Sequence, residues 1–135
     1  MMNLDKLVSK SEPLRKINAR FVKVVAYKAG RDKKGFATAM AKTYTSQEVN
    51  VHKKVVTSKD QNRYVSSFKF LDKKLHVECS CSCPDFMYRF EFNLARVGAA
   101  RIIYGNGEEP TMYHEIGLCK HLIALRAIIK KKHNI

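Results

Sequence analysis

Apolar and polar residues alternate most regularly in the middle of the chain. Arg63-Tyr64-Val65-Ser66-Ser67-Phe68-Lys69-Phe70 sets Tyr64, Ser66, Phe68 and Phe70 on one side, the period of two that marks a half-buried strand. Lys74–Ser80 continues the pattern, with Leu75, Val77, Cys79 and Cys81 on one face and His76, Glu78 and Ser80 on the other. Val49–Val56 also suits a strand, and polar turns at Thr57–Asn62 and Asp72-Lys73 separate the three. Upstream, Phe21–Tyr27 is rich in strand formers and stops at Ala29-Gly30, and Arg31–Gly35 reads as a charged turn. Phe36–Tyr44 fits a short helix or a strand, and pattern alone does not separate them. The expectation is an antiparallel meander whose last strand ends in cysteines.

The period then changes. Phe86, Phe90, Leu94 and Val97 recur at helical spacing, with Asp85 placed to cap the helix and Gly98 to stop it. Ala99–Tyr104 is short and apolar, and Gly105–Pro110 reads as a turn. A last helix runs from near Cys119 to about Lys132, burying Leu122, Leu125, Ile128 and Ile129 and ending on Lys130, Lys131 and Lys132, which suit its C-terminal dipole. Residues 1–20 are polar and basic, and Ser9, Ser11 and Pro13 argue against one long helix there. They read as a basic N-terminal arm, either flexible or ordered only on a partner. Residues 21–135 form a single α+β domain, an antiparallel meander followed by helices. No internal repeat is visible.

Cysteines stand at 79, 81 and 83, and the fourth, Cys119, lies two residues before His121. Zinc takes four soft or borderline ligands in a tetrahedron. A strand end that curls can aim two thiols at one ion, and Cys119 and His121 fall where a helix begins and its N–H groups favour thiolate. Cys81-Ser82-Cys83-Pro84 runs directly into a turn, so Cys81, Cys83, Cys119 and His121 are the expected ligands of one structural zinc ion. Cys79, in line with Leu75 and Val77, reads as a small buried hydrophobe. His114 is a substitute ligand on composition but reads as a loop or surface residue, and His52, His76 and His133 have no ligand-like spacing.

Cys81-Ser82-Cys83-Pro84-Asp85-Phe86 followed by Cys119-Lys120-His121-Leu122 resembles the SWIM zinc finger, whose pattern is Cys-X-Cys, a variable insert, then Cys-X-His. The resemblance spans about residues 62–130. The insert, residues 84–118, is longer than is usual for that family. Its Tyr88-Arg89, Gly98-Ala99-Ala100-Arg101-Ile102-Ile103-Tyr104 and Asn106-Gly107-Glu108-Glu109-Pro110 resemble inserts of SWIM-like proteins of tailed bacteriophages. The resemblance implies a metal and a strand-then-helix arrangement, with roles in DNA binding or protein–protein contact.

Charge narrows the partners. Lys and Arg number 26 against 12 acids, a formal net charge of +14 in 135 residues, which predicts attraction to nucleic acid or to an acidic protein face. The excess is concentrated in residues 1–78, with 18 basic residues against seven acids. Arg20, Lys23, Lys28, Arg31, Lys33, Lys34, Lys53 and Lys54, interleaved with Tyr27, Phe36 and Tyr44, are the candidate contacts. Glu78, Asp85 and Glu91 are the carboxylates nearest the cysteines, but nothing pairs them with a nucleophile. No phosphate-binding Gly-rich loop or Ser/His/Asp set stands out. Four ligands close a zinc site, where catalysis needs an open position. The sequence therefore reads as a non-enzymatic, zinc-stabilised structural or interaction component of an assembly such as a phage particle. The alternative is a free nucleic-acid-binding regulator. Neither membrane nor small-molecule substrate is expected as a partner. The opening residues carry no apolar leader, so the expected place is the cytoplasm of the host cell, or the virion.

Overall fold

The long central strand is the element to which most of the others attach. The computed structural model describes residues 1–51, 54–59, 63–110 and 115–135, and for 46–51 and 54–59 it describes the backbone alone. Six antiparallel strands form the sheet: β1 (Met2–Asn3), β2 (Val22–Arg31), β3 (Ala37–Val51), β4 (Lys54–Lys59), β5 (Tyr64–Phe70) and β6 (His76–Cys81). Their order is β1-β6-β5-β3-β2, with β4 on the far half of β3. At 15 residues, β3 is long enough for its first half to lie between β2 and β5 and its second half to pair with β4.

Three expectations meet the structure here. Within Phe36–Tyr44, where pattern leaves helix and strand both open, Ala37–Tyr44 is strand, because Ala37, Ala39 and Ala41 stack in register beside Phe70, Phe68 and Ser66. Val49–Val56 is not one strand: Val49 pairs with Val56, Asn50 with Val55 and Val51 with Lys54, so its two halves are antiparallel partners. A run of strand formers carries the propensity but not the point of reversal. Of the expected turn at Thr57–Asn62, Thr57–Lys59 belong to β4, and 60–62 lie outside the described residues.

Two hairpins close by the same device. In the β2–β3 turn, Asp32 Oδ1 accepts from the Lys34 and Phe36 amides at 3.0 and 2.9 Å. In the β5–β6 turn, Asp72 Oδ1 accepts from the Lys74 and His76 amides at 2.9 and 3.2 Å, and its other oxygen meets His76 Nδ1 at 2.7 Å. An Asp that satisfies amides two and four residues on replaces the bonds that the turning backbone cannot make for itself.

The register assigns each residue to a face. Tyr27, Ala41, Ser66 and Cys81 form one cross-strand row, and Ala29, Ala39, Phe68 and Cys79 the next. From Ala39, Ala41, Phe68, Val77, Cys79 and Cys81 this face continues into the core with Phe86, Phe90, Leu94, Leu122, Leu125 and Ile129. All the helices of the core lie on that side. A wide π-type turn at Phe86–Phe90 leads into α3 (Glu91–Arg96), and Gly98 at φ 77° ends it, as the pattern predicted. The last helix, Lys120–His133, crosses the inner face from Tyr64 at its start to Tyr27 at its end. The His121 and Tyr64 rings lie 5.2 Å apart, and the Tyr27 hydroxyl meets His133 Nε2 at 2.8 Å.

Residues 1–20 are not an arm. After β1 pairs with β6, the Asn3 side chain caps α1 (Leu4–Lys10) by accepting from the Asp5 and Lys6 amides. Leu4 and Leu7, three apart on one face, are fully buried. Pro13 then starts a second short helix, α2 (Pro13–Asn18), and the last helix, Lys120–His133, is α4. Arg126 of α4 reaches back to Asp5 with bonds of 3.1 and 2.9 Å. A mostly basic segment thus owes its place to two leucines and a cap, a signal too short for composition to reveal.

Leu7→Ala is expected to cost about 2–5 kcal/mol in urea unfolding, as for other leucines removed from a packed core. A change below about 0.5 kcal/mol, the level of a surface site, would return the segment to the status of a loose arm.

Candidate metal centre

Three local devices bring the cysteines to one point. Cys81 is the last residue of β6 and shares the inner row with Ser66. Ser82 then fastens the chain beyond it: its amide donates to Val65 O at 3.0 Å and its hydroxyl accepts from the Val65 amide at 2.9 Å. Cys83 follows at the start of the π-type turn, where its Sγ accepts from the Phe86 amide at 3.4 Å. The sulfur therefore takes the place expected for the Asp85 carboxylate, which instead binds Arg15 through both oxygens at 2.9 and 2.8 Å. The third device is the start of α4, where Cys119 is the N-cap residue and His121 lies in the first turn.

Cys81, Cys83, Cys119 and His121 are all buried, and their ligand atoms lie within 4.8 Å of one another. Three sulfurs and one imidazole so placed could hold one metal ion. Both ring nitrogens of His121 lack a hydrogen-bond partner among the described residues. A buried imidazole left unpaired is costly, and a coordinate bond from one nitrogen would remove part of that cost.

The thiols respond to their enclosure in opposite senses. Burial pushes Cys119 well above the ordinary thiol range, and the Cys81 and Cys83 sulfurs add to it. Cys81 feels the Cys119 hydrogen bond as a pull downward, but the Cys83 contact and burial outweigh it and leave it raised. Cys83 is held far down because the Cys119 and Cys81 thiols both point their protons at its thiolate. A bound cation would favour thiolate at all three sulfurs.

Cys79 stays outside the cluster. It lies one inner row behind Cys81, beside Phe68, and its amide donates to Ala99 O at 2.7 Å. It is 2% exposed, and burial raises its thiol. His76 is held by Asp72 and His133 by Tyr27, while His52 and His114 lie outside the described residues.

A polar network braces the site from the N-terminal helices. The Ser11 hydroxyl donates to Leu7 O and accepts from the amide of Leu118, next to Cys119. Glu12 and Asp85 converge on Arg15, and Arg89 links Glu12 to Glu115. Arg15 also stacks 4.9 Å over the Phe90 ring. The sequence reading missed these residues, because Ser11 and Arg15 are some 70 to 107 positions from their partners. The carboxylates near the cysteines have such structural partners too: Glu91, 1% exposed, accepts from the Tyr104 and Gly105 amides, and Glu78 meets Lys69 and Arg101.

The basic candidates do not converge. Arg20, Lys23, Lys28, Arg31, Lys33 and Lys34 are all exposed. Lys23 and Lys28 share the outer face of the sheet, but Arg31 has the inner-face parity and is tied to Gly35 O at 2.7 Å, with Lys33 and Lys34 in the turn. Lys53 lies outside the described residues, and for Lys54 only the backbone is described.

Cys83→Ser should lower the bound metal of purified protein from one equivalent to well below it, whereas Cys79→Ala should leave one equivalent. Elemental analysis separates the two, and metal loss on changing Cys79 would overturn the ligand set.

Among the described residues no helix is long and apolar enough to cross a membrane. No protein-family model, curated protein or solved structure matches the chain.

Proposed function

We propose that this chain is a non-enzymatic, zinc-stabilised interaction module, a structural component of a macromolecular assembly such as a phage particle. The observation that carries the reading is the enclosed set of three thiols and one imidazole. Zinc suits that donor set, since thiolate and imidazole are its usual ligands and tetrahedral contacts would bring the donors to about 3.5–3.8 Å apart, a modest contraction. A fourth protein ligand fills the position that a catalytic zinc keeps for water. A strand end followed by a helix start, each giving two ligands, also supports the SWIM-type reading of Cys81, Cys83, Cys119 and His121.

The metal's task in this reading is to fix β6, the Cys83 turn and the start of α4 relative to each other. Three thiolates and one Zn2+ leave the cluster at −1, so the basic surface remains the dominant charge for contact with partners. Thiol ligands persist where thiols stay reduced, which favours the inside of a cell or the particle assembled there. The exposed lysines of β2 favour a second reading, a free nucleic-acid-binding regulator built on the same zinc scaffold.

Purified protein should carry one zinc per chain, and full chelation should lower its melting temperature by more than about 10 °C, given several kcal/mol from a structural zinc. Melting unchanged after complete metal removal would rule out the stabilising role. Size fractionation of the native source addresses the rest: recovery with a large particle supports the assembly reading, and recovery only as a free small protein supports the regulator.

A further inference from the structure

The outer face of the sheet has no helix over it. Its cross-strand rows run Lys28–Met40–Ser67–Ser80 and Gly30–Thr38–Lys69–Glu78, with Ala26–Lys42–Val65 and Lys23–Tyr44 beside them. Lys23, Lys28, Met40 and Lys42 are exposed, whereas the adjacent inner-face residues Ala39, Ala41 and Thr43 are buried. We propose that this face binds the phosphate backbone of nucleic acid through Lys23, Lys28 and Lys42, with Arg63 and Arg101 at its margins. The proposal rests on the interaction-module reading and names its partner.

Three observations support it. Among the described residues, the acids that approach this face are matched: Asp32 and Glu78 lie at 3.6 and 4.0 Å from Lys69, and Glu78 also lies 3.4 Å from Arg101. Lys23, Lys28 and Lys42 have no acidic partner among the described residues. Most residues beside them are small or short, among them Ala26, Gly30, Thr38, Ser67 and Ser80, with Met40 and Val65 the larger neighbours. Lys42 faces Ala26, two positions from Lys28, so the two lysines are diagonal neighbours on adjacent strands, with backbones about 7–8 Å apart.

The same surface suits a protein partner poorly. Protein interfaces centre on buried aromatic or aliphatic anchors, and the large apolar residues exposed on this face are Met40 in these rows and Ile103 of the insert, beside Arg101 at the margin. The two aromatic rings available are covered by cations, Phe36 by Lys69 at 4.6 Å and Tyr44 by Arg63 at 5.6 Å. Bases therefore find no free ring on which to stack, and binding is to backbone, without sequence preference. The sequence reading had two of these contacts, Lys23 and Lys28. Lys42, Arg63 and Arg101 join them only through the sheet register and the return of the insert along β6.

Salt-titrated binding of the full chain to a thymidine homopolymer, to a mixed-sequence duplex and to poly-glutamate tests the assignment. Replacing Lys23, Lys28 and Lys42 with Gln should weaken nucleic-acid binding at least about tenfold and flatten the log–log salt slope by about two to three. A control set, Lys33→Gln, Lys34→Gln and Lys130→Gln, removes the same charge from the turn and from α4 and should change the slope by less than about one. Equal affinity for strand and duplex marks a pure backbone contact, and a preference for the strand marks an unpaired ligand; either sustains the proposal. Equal losses in both variant sets, absent wild-type binding at low salt, or tighter binding of poly-glutamate would overturn it. Zinc content and melting temperature, read on the same samples, report the metal-centred reading separately, so one can fail while the other stands.

Discussion

Everything in this molecule depends on holding a charged-ligand cluster inside a core. Cys81, Cys83, Cys119 and His121 come from two places almost forty positions apart, and each is buried among apolar side chains. Alone, such donors are a liability: burial raises Cys119, its neighbours force Cys83 toward thiolate, and both nitrogens of His121 go without partners. A cation would resolve all three at once, because it favours thiolate and takes an imidazole lone pair. Were the cluster to hold one metal ion, binding and folding would be coupled.

The rest of the fold reads as support for that point. Ser82 locks the Cys-X-Cys segment to β5, and Cys83 itself caps the turn that follows. On the other side, Ser11 holds Leu118, and the Glu12–Arg15–Asp85 and Glu12–Arg89–Glu115 pairs join the N-terminal helices to both flanks of the ligand set. Isolated pairs of this kind add little when exposed. Arg15, with a side chain 13% exposed, bidentate to Asp85 and stacked on Phe90, is better placed to add stability than the others. The insert returns along β6 through Cys79 and Ala99, and the buried Glu91 ties down its next residues. Cysteines at 79 and 81 thus share a strand and a face yet differ in role, since only Cys81 lies at the strand end where the chain can curl.

The sheet's two faces divide the labour. The inner face meets the helices and encloses the Cys/His cluster; the outer face is left polar and basic. Antiparallel sheets tolerate this one-sided burial. β2, at the edge of the sheet, carries Lys23, Lys28 and Arg31 and a bulge between Val24 and Ala26, features that discourage pairing with another strand. The same lysines that protect the edge supply charge to the open face.

The sequence by itself determined whatever depends on period and spacing. The alternation in 63–80, the helical recurrence of Phe86, Phe90 and Leu94, the Gly98 stop and the helix after Cys119 were all legible, because each is a local pattern one element long. The Cys/His cluster was legible for a related reason, since Cys-X-Cys and Cys-X-His place possible donors in pairs that few other roles require. Tertiary structure decided what depends on partners distant in sequence. It set the reversal between Val49 and Val56, the strand state of Phe36–Tyr44, the burial of Leu4 and Leu7 in a segment that composition marks as an arm, and the transfer of Asp85 from cap to ion pair. It also sorted the lysines, sending Lys28 and Lys42 to one face and Arg31 to the other. Side-chain period fixes which residues share a face, but only the register between strands fixes which faces become one surface.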